Sequence, residues 1–210
     1  AAITAGIPDT QSALTINKVC ASGMMAVVLA GLMIRAGDAD VVVAGGMENM
    51  SRAPHVLPDS RVGQRLGDQK LIDSMVHDGL WCCFSDSHMG TLAEKTAIDF
   101  EVTRSEQDEF ALGSNQKAYR AIENGSFVDE ISPVVVPGRQ ETTTVEIDEG
   151  PRSDTSLEIL SRLSTPFPPH NSVTSGNSSQ ISDGAAALVI TSEKKARSMG
   201  LEPTACIEDQ

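Results

Sequence analysis

Aromatic side chains are scarce in these 210 residues: one Trp, one Tyr and five Phe, 3% in all. Any core must therefore rest on Val, Leu, Ile, Ala and Met. Basic residues are short as well, 16 Lys and Arg against 29 Asp and Glu, for a formal charge of −13. That balance excludes a nucleic-acid or anionic-membrane surface, whose expected footprint is a basic patch. It leaves room for a phosphorylated ligand, because helix termini and a few Arg or Lys can hold an anion in an acidic protein. The four cysteines, Cys20, Cys82, Cys83 and Cys206, include no C-x-x-C pair. Neither a disulfide framework nor a metal site is expected, and the compartment reads as reducing. Arg35 and Asp38 interrupt the longest apolar run, so no stretch of about 18 apolar residues, and no membrane span, is expected. The opening AAITAGIPDT resembles neither a signal nor a transit peptide and reads as the interior of a domain.

What is present reads as a soluble globular chain, 40% apolar and 21% charged. Residues 13–19 (ALTINKV) alternate as a strand would, and 22–36 favour helix, with Gly37 and Asp38 as a stop. Apolar residues cover nearly every face of that helix, which predicts burial all round. DADVVVAGG then reads as a buried parallel strand, completing a right-handed strand–helix–strand unit. Residues 51–172 look like an insertion, with helices over 91–100 and 105–123. The second of these starts at TRSEQDEF and closes at Asn124 and Gly125. Short strands follow in EISPVVVPG and TTTVEI. AAALVIT returns to the buried-strand pattern, SEKKARSMG resembles a capped helix, and ACIED could begin another strand. The division is thus 1–50, 51–172 and 173–210.

Cys20 breaks an apolar stretch where the first strand would meet the helix. A free cysteine often packs as a small hydrophobe. A thiol at a helix start also sits beside unpaired N–H groups and the positive end of the helix dipole. Ala21, Ser22 and Gly23 follow it, so the chain can turn tightly and a substrate can approach. Both readings stand on the residues alone. Arg61 and Arg65 read either as solvated loop charges or as contacts for a phosphate or a partner subunit. Asp183 reads as a turn and cap residue ahead of a strand. Cys82 and Cys83 are given no role, and His55, His77 and His170 read as surface or structural.

Four segments, NKVCASG, AGGMENMSRAP, SHMGTLAEK and TSGNSSQISDGAAALV, occur in this order and are similar in order and spacing to the thiolase family. The resemblance implies an α/β layered thiolase fold, here a partial N-terminal core with an inserted α+β loop domain. It makes Cys20 the nucleophile that accepts an acyl group from a coenzyme A thioester. The HMG segment resembles the short-chain branch, placing His88 and Met89 beside the pantetheine arm and acyl pocket. Ser179 corresponds to a coenzyme A contact. The implied reaction is acetyl-CoA C-acetyl transfer, with acetyl-CoA and acetoacetyl-CoA as partners and no permanently bound cofactor. A homodimer or homotetramer is implied too, in the mitochondrial matrix or the cytoplasm. The alternatives are a longer-chain 3-ketoacyl-CoA thiolase and a non-catalytic coenzyme A-binding module.

Within the matched segments, Asn49, Ser175 and Gln180 depart from the family's usual residues. Gln180, beside Ser179, makes that contact the weakest carry-over. The family's GHP, C-x-G-G and N-E-A-F segments do not occur in these residues, and Cys206, followed by Ile-Glu-Asp, does not fit the second cysteine. The expectation is an internal piece of a thiolase, lacking turnover by itself.

Overall fold

Helix α1, Ser22–Ala36, forms where fifteen consecutive residues lack proline and charge except for Arg35, and it stops where Gly37 takes a left-handed conformation (φ 80°). The structure is a computed structural model that describes residues 1–138, 141–167 and 171–208. After α1 come β1 (Val41–Asn49), a 3₁₀ turn at Met50–Arg52, β2 (His55–Val56), a second 3₁₀ turn at Ser60–Val62 and β3 (Ile72–Asp73). A π-helical turn (Met75–Gly79) precedes β4 (Trp81–Cys82), β5 (Ser87–His88), α2 (Met89–Asp99) and α3 (Arg104–Glu123). The series continues with β6 (Val134–Pro137), β7 (Thr142–Val145), α4 (Leu157–Ser161), β8 (Asp183–Thr191) and α5 (Glu193–Ser198). Two units emerge: Ala1–Pro54 with Asp183–Gln210, and His55–Ser182.

In the first unit β1 and β8 pair along their full length, from Val41 opposite Thr191 to Asn49 opposite Asp183, and α1 lies against both. This is a helix layer on a sheet layer. The helix and strand backbones approach closely where two glycines meet: a Cβ on Gly46 would come within 3.2 Å of the Gly23 Cα. Three expectations fail here. The β1 strand is antiparallel and mostly exposed, with only Ala44 buried, because an apolar run records neither the direction of its partner nor what covers it. Residues 13–19 form no strand, since an alternating pattern needs a neighbouring strand to pair with and the hydrogen bonds there go into a turn instead. The crossover unit is therefore absent. Residues 205–208 carry no strand either.

Helix α1 is half-buried and not buried all round: only Ala30 and Gly31 are buried, and Met24 is 73% exposed. The two strands lie against it, and most of its other residues are half-buried. The charge argument against a membrane-length segment also needs correction. Val19–Ala36 averages 1.9 in hydropathy over 18 residues and holds one charge, Arg35, so it is long and apolar enough to cross a bilayer. The core helix of a layered α/β fold passes the same test, and α1 lies on a sheet.

The second unit follows local sequence signals closely. Thr103 caps α3, and its hydroxyl and backbone N–H meet the Glu106 carboxylate in a complete capping box. Strands β6 and β7 pair as a hairpin. Its apolar core, Ala111, Leu160 and Val173, is small, and three polar residues are buried with it: Glu94, Asp108 and Thr174. His55 and His77 are exposed, the latter 2.7 Å from Asp78, and His170 lies outside the described residues.

Candidate functional site

Cys20 is exposed on a knuckle immediately before α1, with no strand leading into it. Val19 has φ 50°, a left-handed backbone that a β-branched residue adopts only under strain. The surroundings enforce it. Asn17 Oδ1 accepts from the Val19 N–H at 2.9 Å, and Ser22 Oγ accepts from the Lys18 N–H at 2.8 Å while donating to the Val19 carbonyl at 2.7 Å. The Ala21 and Ser22 N–H groups donate back to the Lys18 and Val19 carbonyls, each at 3.1 Å. The knuckle thus projects Cys20 outward from both sides. The first turn of α1 has no acidic side chain, so nothing on the helix opposes negative charge there.

Asp183 proves to be the first residue of β8, and it serves as the cap for a turn distant in sequence. It accepts from the Ser51 N–H at 2.9 Å and from the Ser51 hydroxyl. The Ser51 hydroxyl and N–H, with the Met50 N–H, hold its carboxyl below the ordinary carboxylate range. Asn49 caps the same turn, accepting from the Arg52 N–H at 3.1 Å.

In the second unit, His88 ends β5 and caps α2, its Nδ1 accepting from the Gly90 N–H at 3.0 Å. The Phe167 ring stacks on the imidazole, centroids 4.8 Å apart and planes 20° from parallel. Gly90 admits that ring, because a Cβ at Gly90 would collide with it. Met89 opens α2 and is 39% exposed, leaving its thioether partly accessible. Across the hairpin Trp81 pairs with His88 and Cys82 with Ser87. The Cys82 thiol is held below its ordinary value by the Ser85 hydroxyl, then by the Ser85 and Phe84 N–H groups.

Ser179 is exposed, two residues after a stretch held by buried polar groups. The Glu94 carboxylate, fully buried on α2, accepts from the Ser172 N–H (3.0 Å), the Val173 N–H (2.8 Å) and the Ser172 hydroxyl (2.6 Å). Asn177 donates to Asp108 Oδ1 (3.0 Å) and the Ser172 carbonyl (2.9 Å), and accepts from the Thr174 N–H at 2.7 Å. Arg104 pairs with Asp108 at 2.8 Å and donates to the Leu160 carbonyl. The Gln180 side chain lies against Gly150. Elsewhere in this unit Arg120 and Arg152, with Tyr119 and Ser153, line an open depression of about 300 Å³.

His88, Met89 and Ser179 thus belong to one unit and Cys20 to the other. The sequence reading missed Phe167, Glu94, Asn177 and the two arginines. Phe167 sits among prolines and the arginines outside every quoted segment, whereas Glu94 and Asn177 lie inside SHMGTLAEK and TSGNSSQISDGAAALV, where only the histidine, methionine and serine were singled out as contacts.

A family model described as thiolase, N-terminal domain, matches residues 1–194. The acetyl-CoA acetyltransferase of Pseudomonas aeruginosa is 52% identical over 202 residues, 96% of this chain and 51% of that protein. Among solved structures, the acetyl-CoA acetyltransferase of Bacillus anthracis superposes with a TM-score of 0.91 at 41% identity, covering 96% of this chain and 51% of that one. Human mitochondrial 3-ketoacyl-CoA thiolase gives 0.90 at 37% identity, with coverage of 96% and 51%. The chain spans about half the length of the relatives it matches.

Proposed function

This chain belongs to the thiolase family, and from that premise we propose that it serves acetyl-CoA C-acetyl transfer, with Cys20 as the acyl carrier. The observation that supports this most is the knuckle: an exposed thiol on a strained turn at a helix start, in the NKVCASG segment. The Cys20 thiolate adds to the acetyl-CoA carbonyl, the tetrahedral adduct collapses, and the coenzyme A thiolate leaves. One thioester replaces another, so little free energy is lost and the acetyl group remains activated. A second acetyl-CoA, deprotonated at its methyl carbon, then attacks the acetyl-enzyme carbonyl. Acetoacetyl-CoA forms and Cys20 is released; thiolysis is the reverse.

His88, Met89 and Ser179 hold the substrate in this reading, and the Phe167 ring extends the apolar wall beside His88. The phosphate end of coenzyme A requires cations that an acidic protein has in few places. Arg120 and Arg152 are suited to it by charge and planar donor geometry. These 210 residues contain no GHP, C-x-G-G or N-E-A-F segment, so by themselves they are proposed to bind coenzyme A without turnover. The oligomer is proposed to be a homodimer or homotetramer.

The test is acetoacetyl-CoA thiolysis by the full-length protein. Turnover that Cys20→Ala abolishes, with a longer 3-ketoacyl-CoA used more slowly, is the expected result. Preference for the longer substrate would favour the 3-ketoacyl-CoA thiolase reading, whose structural relative superposes nearly as well. Undiminished activity in Cys20→Ala would overturn the assignment.

A further inference from the structure

A fully buried carboxylate is costly unless hydrogen-bonded, and the acyl-transfer chemistry does not use Glu94. Its surroundings supply a reason for it. Helix α2 begins at Met89, capped by His88, and Glu94 lies between one and two turns further along. Three donors from the Ser172–Val173 segment converge on its two oxygens. From Ser172 the chain passes through a turn in which Thr174 Oγ1 accepts from the Gly176 and Asn177 N–H groups at 3.2 and 3.3 Å. Asn177 is tied to Asp108 on α3, and Ser179 follows two residues later. One helix therefore has two tasks: its start presents His88 and Met89, and its middle grips the base of the loop that leads to Ser179.

We infer that Glu94 is a positioning residue, fixing the spacing between the His88–Met89 pair and the Ser179 loop to which coenzyme A binds. The inference rests on the reading of those three residues as coenzyme A contacts. Preorganisation is the physical content. A loop already held in its bound conformation loses less conformational entropy when the ligand arrives. Glu94→Ala leaves the Ser172 and Val173 N–H groups without their acceptor and frees the loop. Glu94→Gln keeps one oxygen for those two N–H groups, and its amide can donate to the Ser172 hydroxyl, so it should restore most of the function.

The experiment is calorimetric titration of the 210-residue chain with coenzyme A, beside thermal unfolding of each variant. Thr103→Ala, which removes the α3 cap in the same unit, is the control for lost stability without lost positioning. Glu94→Ala should raise the dissociation constant about tenfold, as expected for losing hydrogen bonds to a charged group, with Glu94→Gln close to wild type and Thr103→Ala unchanged. Wild-type affinity in Glu94→Ala overturns the inference and leaves the reading of the site intact. So does a loss in Glu94→Ala that merely tracks its melting temperature, as gauged by Thr103→Ala. Absence of coenzyme A binding by the wild-type chain overturns the reading of the site and the inference with it. Where Glu94→Ala does not fold, Ser172→Ala decides: a rise of about threefold, for losing one of the three hydrogen bonds to that carboxylate, supports the inference, and no change overturns it.

Discussion

At the scale of single residues, the backbone around Cys20 is more telling than the thiol. Val19 accepts a left-handed conformation because Asn17 Oδ1 accepts from its N–H, while Ser22 Oγ accepts from the Lys18 N–H and donates to the Val19 carbonyl. The helix boundary behind that knuckle was legible, since Gly37 and the apolar composition are local signals. The strain at Val19 was not, because it depends on two side chains meeting the backbone in three dimensions. Cys82, given no role in the sequence reading, differs from its neighbours in its surroundings. Its thiol, held low by Ser85 and Phe84, should be alkylated by iodoacetamide at a lower pH than Cys83 or Cys206. Ser85→Ala should move that rate profile to higher pH, which mass mapping of the labelled peptides would detect. Asp183 makes a pH prediction for stability. Its folded-state pKa is depressed, so it binds fewer protons folded than unfolded. Its contribution is present above the unfolded pKa and fades as pH falls through the folded one. Asp183→Asn should flatten the acid side of the melting-temperature profile and leave its neutral-to-alkaline shape unchanged.

Elements divide by whether their causes are local. The Thr103–Glu106 box lies within four residues, and α3 formed where that signal placed it. The β6–β7 pairing likewise follows from two short runs of β-branched residues, VVVP and TTTV, close together in sequence. Strand direction was not legible, because β8 returns more than 130 positions after β1 and nothing local records its sense. The same holds for Glu94 and Ser172, 78 positions apart. The HMG segment was recognised through its histidine and methionine, yet Gly90 explains the local geometry: only a residue without Cβ lets Phe167 lie on His88. Gly90→Ala should displace that ring and weaken coenzyme A binding several-fold, an order of magnitude at most for one stacked aromatic pair. Helix content should hardly change, because alanine is the better helix former. Titration and far-UV circular dichroism on one sample would check both halves of the prediction.

On the scale of the whole molecule, the first unit has one two-stranded sheet and one long helix, with Val43, Met47, Leu188 and Val189 all more than half exposed. Two strands and a partly covered helix bury too little apolar area to leave such a surface unpartnered in water. The 210-residue chain is expected to self-associate, or to bind a hydrophobic dye, at micromolar concentration. Val43→Lys should reduce that association in light scattering, since a charge on an open sheet opposes further packing. The register of β1 and β8 has a further consequence. Asn49 faces Asp183, so the chain leaves this sheet and re-enters it at neighbouring Cα positions, about 5 Å apart. The intervening residues 50–182 are thus an insert whose two ends are closed by a single strand pair. Doubling the length of a flexible insert closed at fixed ends adds only about 0.6 kcal/mol. An insert closed in this way can therefore change in length at little cost while β1 and β8 keep their register.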